Sequence, residues 1–204
     1  KLFGSVNHAF AAIEMACMDI QGQAIGRPVC DLLGGKIRDR IPLSAYLFYR
    51  RPNERNEGGI SDSKDMSSYA AEVIATYGFK TLKLKAGVLH PDEELRTIIQ
   101  LREEFPKAKL RVDPNGAWSV GTALHFANQT RDLNLEYLED PVWGLRGMAR
   151  VNSQCPWLPL ASNMSVATPD DFSSAITLEA VDVILVDPHF YGGLRQARYA
   201  AATL

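Results

Sequence analysis

No apolar stretch of the 204-residue sequence approaches the ~18 to 20 residues of a membrane span. The opening KLFGSVNHAF also lacks the charged-then-apolar pattern of a secretory signal, so a soluble protein is expected. Cysteine is scarce: the 3 residues, Cys17, Cys30 and Cys155, lie far apart. Two of them fall in apolar helical patterns, which supplies neither a disulfide framework nor a zinc knuckle. They are expected to be packing residues in a reducing cytoplasm. Nor is there an excess of one charge. Lys and Arg number 22 against 24 Asp and Glu, for a net charge of −2, and they are scattered. That argues against both nucleic acid and an anionic membrane as partner.

What is present is an ordinary globular composition, 46% hydrophobic and 23% charged, sufficient for a sizeable core. Residues 8 to 25 place Ala12, Met15, Ala16, Asp19 and Ile20 at helical spacing, which predicts a buried helix. Gly26, Arg27 and Pro28 break it, and VCDLLGG reads as a second short helix stopped by Gly34 and Gly35. IPLSAYLFY (41 to 49) reads as a strand. Residues 50 to 68, polar with Pro and paired Gly, are expected to form a long exposed loop, a candidate lid or binding loop.

From Ser68 onward helix and strand alternate. Helices are expected at 68–77, from Pro91, at 119–132, 145–153 and 169–178, and from Gly193, with strands at 81–85, 109–113, 135–140, 158–163 and 181–187. Lys85, Asp113, Glu139, Asn163 and Asp187 close those strands 28, 26, 24 and 24 residues apart. One strand, one helix and two short loops need about 25 residues. Such alternation means a parallel sheet. A (β/α) barrel is expected over an open doubly wound sheet, because each unit brings one polar group to the same rim, and ligands sit at the carboxyl ends of strands. The expected division is a helical segment over 1–40 leading into a barrel domain over 41–204.

Those rim positions carry chemistry. Asp113, Glu139 and Asn163 are oxygen donors from three successive strand ends, a set suited to a hard dication such as Mg2+. Singly, each reads better as a helix cap or turn former. Three in register do not. Lys83 and Lys85 stand two apart on one strand and share a face. Burial and mutual repulsion are expected to lower the proton affinity of at least one, which suits a general base. Magnesium opposite a lysine is equipment for removing a proton from carbon next to a carboxylate.

The segment AAIEMACMDIQGQAIGRPVCDLLGG resembles the signature helix pair of the mandelate racemase and muconate lactonizing branch of the enolase superfamily. KLKAG, DPNGAW, EDP, ASNM and DPHF resemble more narrowly the D-glucarate dehydratase group of acid-sugar dehydratases. The resemblance implies a capping domain over a modified barrel, and loss of water from an aldarate dicarboxylate to give a 5-keto-4-deoxy product. It implies Lys85 as base with Lys83 as its partner, and Asp113, Glu139 and Asn163 as magnesium ligands. Asn115 and Tyr46 match positions that contact substrate, and Asp187 matches an aspartate that orients a catalytic histidine. A small-molecule substrate and a homo-oligomer follow from the same likeness.

The family's dyad histidine lies about one βα unit beyond the aspartate, past Leu204, and the last strands and capping domain are absent. The sequence therefore reads as part of a longer protein, with about six βα units of a barrel that typically needs ~250 residues. His189 is read as structural or as supporting the site, and His8, His90 and His125 as surface or packing residues. The loop at 50 to 68 is shorter than in typical glucarate dehydratases. The leading reading is a glucarate dehydratase-like lyase. The alternatives are a racemase, epimerase or cycloisomerase of the same superfamily, or a relative that binds ligand without turning it over.

Overall fold

Alternation decides the central strands. In TLKLK successive side chains point to opposite faces, so Leu82 and Leu84 are buried while Lys83 and Lys85 are half-buried. The computed structural model describes residues 2–55 and 57–204. Lys1, at the head of the expected helical segment, and Asn56, within the expected loop, lie outside the described residues. In chain order the elements are α1 (Leu2–Ile25), α2 (Val29–Leu32), β1 (Ala45–Phe48), α3 (Ser63–Tyr77), β2 (Thr81–Lys85) and α4 (Pro91–Glu104). They continue as β3 (Lys109–Asp113), α5 (Val120–Gln129), a 3-10 turn (Arg131–Leu133), β4 (Tyr137–Glu139), α6 (Leu145–Gln154) and β5 (Leu160–Ser162). The last are α7 (Asp170–Thr177), β6 (Val183–Ile184), α8 (Pro188–Tyr191) and α9 (Leu194–Thr203). No helix among the described residues is long and apolar enough to cross a membrane.

The chain forms two compact units. The larger comprises Pro42–Ser165 and Ser174–Ile184 and holds a 6-stranded sheet in the order β1-β2-β3-β4-β5-β6, every pair parallel. A doubly wound sheet reverses strand order at a switch point. Six strands in unreversed order match the wall of the expected barrel. One face of the wall, carrying Ala45, Leu47, Leu82, Leu84, Leu110 and Val112, joins the core built with Met66, Ala70 and Val73 of α3 and Ile98 and Leu101 of α4. These side chains are removed from water, the dominant favourable contribution to the fold.

The polar stretch after β1 is shorter as a loop than expected. Arg50 and Ile60 exchange backbone hydrogen bonds at 2.9 Å in an antiparallel bridge, and α3 starts at Ser63 instead of near Ser68. Asp62 sets that start: its Oδ1 accepts from the N–H groups of Lys64 and Asp65 at 2.9 Å, satisfying two donors that a helix start leaves open. Gly78, at φ 70°, ends the helix.

The smaller unit comprises Lys1–Ile41, Val166–Ser173 and Leu185–Leu204. Within it, α1 is not the buried helix expected. Ala12, Ala16, Asp19 and Ile20 are exposed and Met15 is half-buried, while Ala11, Met18 and Gly22 form the buried line. A helix that is apolar on several sides gives periodicity no single face to choose. Cys17, expected to pack, is exposed as well, whereas Cys155 in the larger unit is buried. Glu14 accepts from the N–H groups of Leu194 at 3.0 Å and Arg195 at 3.2 Å, capping α9 from a distant part of the sequence.

The cap of α3 gives a direct test. Asp62→Ala is expected to cost about 1 kcal/mol, read as a lower urea midpoint at unchanged slope, and an unchanged midpoint would place the helix start elsewhere.

Candidate active site

The face of the wall opposite the leucines carries layers of polar side chains. Pairing sets Tyr46 opposite Lys83, Lys83 opposite Arg111, and Arg111 opposite Tyr137. One step nearer the carboxyl ends, Phe48 stands opposite Lys85, and Lys85 opposite Asp113. Val112 pairs with Leu138, so Glu139 follows Asp113 at the same level. Parallel register thus collects residues separated by whole βα units.

Four charges meet there. Asp113 and Glu139 are 3% and 2% exposed, and both pair with Lys83 Nζ: Asp113 Oδ2 lies 3.2 Å from it, and Glu139 Oε2 accepts a hydrogen bond from it. Lys85 Nζ donates to the same Asp113 oxygen at 2.8 Å and to Asn115 Oδ1 at 2.9 Å. Tyr46 OH donates to Asp113 Oδ2 at 2.8 Å, and Lys83 Nζ lies 5.0 Å from the Tyr46 ring centroid, a cation over an aromatic face.

The sharing is unequal, and protonation follows it. Burial pushes Asp113 up, but Lys83, Lys85 and the Tyr46 hydroxyl together hold it below the usual carboxylate range. Glu139 keeps only part of one ammonium, so burial and the neighbouring Asp113 charge push it up to about 7. Tyr46 is raised by burial and by Asp113. For Lys83, burial works downward but Glu139 and Asp113 outweigh it, and its proton is held more tightly than usual. The expected lowering does not hold for Lys83, because the argument from crowding counted the second lysine and not the two carboxylates facing the pair.

Buried carboxylates that repel each other suit a hard dication. Among the described residues no group of three or more His, Cys, Asp and Glu could hold a metal. Asn163 stands one residue beyond β5, half-buried. Its N–H donates to Asp140 Oδ2 at 3.0 Å. Asp140, which the sequence reading did not single out, also accepts from Met164 N at 3.1 Å and Ser162 Oγ at 2.5 Å. Its signal was the second carboxylate of EDP, a motif that entered only through the family resemblance. Asn115, at φ 56°, is set by its N–H donating to Asp113 Oδ1 at 3.0 Å. Gly116 follows at φ 75°, and a Cβ there would stand 3.1 Å from Cε3 of Trp143.

Asp187 belongs to the smaller unit, beyond the end of β6 and at the N-terminus of α8, so it does not close a strand. Its Oδ1 contacts His189 Nδ1 directly, and the His189 ring meets that of His8 at 4.9 Å. His90 accepts from Asp92 N at 3.4 Å at the start of α4, and His125 Nε2 lies 3.3 Å from Asp92.

Residues 65–204 match the family described as enolase C-terminal domain-like. A probable glucarate dehydratase of Streptomyces coelicolor is 45% identical over 94% of this chain and 46% of its own length. A chloromuconate cycloisomerase of Cupriavidus pinatubonensis is 32% identical over 98% of this chain and 52% of its own. An enolase of Thermobispora bispora, crystallised with magnesium and formate, superposes with a TM-score of 0.88 at 44% identity over 98% of this chain and 49% of that one. The chain spans about half the length of the relatives it matches.

The strained carboxylate should show itself in stability without added metal. Glu139 is raised from 4.5 to about 7, so the folded state holds a proton that the unfolded state has already released. Stability is therefore expected to fall as pH rises from about 4.5 through about 7. Urea unfolding with chelator at several pH values should show a shallower fall in Glu139→Gln than in the wild type; identical slopes would count against the assignment.

Proposed function

The chain belongs to the enolase C-terminal domain-like family, and from that membership we propose that it forms the catalytic barrel segment of a magnesium-dependent acid-sugar dehydratase, with glucarate as the leading substrate. The observation that carries the reading is the convergence of Lys83, Lys85, Asp113 and Glu139 at the carboxyl ends of adjacent strands. The 45% identity to a probable glucarate dehydratase supports the choice of substrate class.

In this reading Asp113, Glu139 and Asn163 hold the metal. Magnesium, when bound, supplies positive charge to the substrate carboxylate oxygens on which negative charge develops. Lys85 takes the proton from the carbon next to that carboxylate. It is the better placed of the two lysines, since Lys83 is engaged by both carboxylates while Lys85 lies beside Asn115. The electron pair left by the C–H bond forms a carbon–carbon double bond as the β-hydroxyl takes a proton from an acidic group of the full-length protein outside this cluster and departs as water, and the enol becomes the ketone by moving its hydroxyl proton, through solvent, to carbon. Lys83 offsets the carboxylate charge, Tyr46 orients Asp113, and Asn115 contacts substrate hydroxyls.

The 32% identity to a chloromuconate cycloisomerase favours a second reading, in which the same proton abstraction leads to isomerisation. Incubation of the full-length protein with a panel of aldarates in deuterium oxide, with and without magnesium, separates them. Ketone formation that needs magnesium is expected. Deuterium exchange without loss of water would favour the isomerase. Lys85→Ala is expected to lower turnover by roughly 10²–10⁴-fold, the usual contribution of a general base, and undiminished turnover by that variant would overturn the assignment.

A further inference from the structure

Asp140 is used by none of the steps above, yet it is 1% exposed and every polar atom of it is engaged. Its N–H donates to Ala161 O at 2.9 Å on β5, and its carbonyl accepts from Gly116 N at 2.6 Å in the turn after β3. Its Oδ1 accepts from Ser162 Oγ at 2.5 Å, and its Oδ2 from the N–H groups of Asn163 and Met164. Ser162 Oγ in turn accepts from Ser165 N at 2.9 Å. The backbone at Asp140 has φ 39°, a conformation that costs a non-glycine residue energy and persists only where surrounding contacts over-determine it.

The three segments joined here bear Asp113 with Asn115, Glu139, and Asn163. A carboxylate that accepts backbone N–H groups fixes a turn without competing for the site, because its oxygens are spent on those donors. A neutral acceptor in the same place would leave one buried donor open, at the cost such groups carry.

We propose that Asp140 is the positioning residue that sets the mutual register of Asp113, Glu139 and Asn163, so that magnesium affinity depends on a carboxylate that does not touch the ion. The proposal rests on the magnesium reading given above. Loss of a group that orients metal ligands typically weakens affinity by 10- to 100-fold, and the same range is expected here.

The measurement is magnesium affinity of the full-length protein, by calorimetric titration and by the rise in melting temperature with magnesium, neither of which needs turnover. Asp140→Ala, which removes both carboxylate oxygens and the three hydrogen bonds they accept, is expected to bind magnesium roughly 10- to 100-fold more weakly. Asp140→Asn keeps an oxygen for the Asn163 and Met164 donors and should recover part of the loss. Ser162→Ala, which leaves those two bonds intact, should lose less than Asp140→Ala. Asp182→Asn serves as the control: Asp182 Oδ2 accepts from Leu160 N at 2.8 Å at the opposite end of β5, so its variant should bind as the wild type does. If Asp140→Ala does not fold, the Asp140→Asn and Ser162→Ala variants carry the test. Wild-type affinity in folded Asp140 variants would overturn this proposal alone, whereas no magnesium binding by the wild type would overturn the reading beneath it as well.

Discussion

Two buried carboxylates, Asp113 and Glu139, lie on neighbouring strand ends and reach for the same ammonium group. The architecture around them follows from the need to hold that arrangement. A carboxylate taken out of water is costly unless charge and hydrogen bonds compensate it. Asp113 obtains two ammonium groups, a phenol and a backbone N–H. Glu139 obtains a share of Lys83 and stays raised toward neutrality. Compensation that is complete at one carboxylate and partial at the next leaves a defined place for further positive charge.

Holding like charges together requires a stiff frame, and the sheet provides it by separating two tasks. One face of each strand supplies leucine and valine to the core with α3 and α4. The other carries the charged layers. Because alternate residues do the two jobs, substitution on the polar face leaves the buried apolar area unchanged. The turns at the strand ends are tied to each other as well as to their own strands: Gly116 N donates to Asp140 O, and Trp118 N to Pro141 O at 3.2 Å.

Strand period and the near-constant spacing of polar strand ends were sufficient to read β2 and β3 to the residue. The same pattern put Lys83, Lys85, Asp113 and Glu139 on one rim, while Asn115 and Tyr46, which also join the cluster, were named only through the family resemblance. Those signals are local or periodic. What failed was decided by neighbours that the pattern does not name. The buried side of α1 depends on what packs against it, and α1 offers apolar residues in several directions. The early start of α3 was available in Asp62 followed three residues on by Asp65, but a glycine-containing polar run obscured it. Lys83 shows the same limit in electrostatics: its proton affinity is fixed by Glu139, 56 residues away in sequence, and not by the lysine two positions along.

On the proposed reading the cluster would handle a proton and a developing negative charge, requirements common to elimination and isomerisation. What separates the outcomes is whether a leaving group on the adjacent carbon receives a proton. Lys83 is committed to two carboxylates, and Lys85 to Asp113 and Asn115, so on that reading neither ammonium is spare to protonate a leaving group. The choice of reaction must therefore be made by groups that approach the substrate from beyond this rim. Strand ends that fix the shared first step so firmly leave that second choice open to change without disturbing the fold.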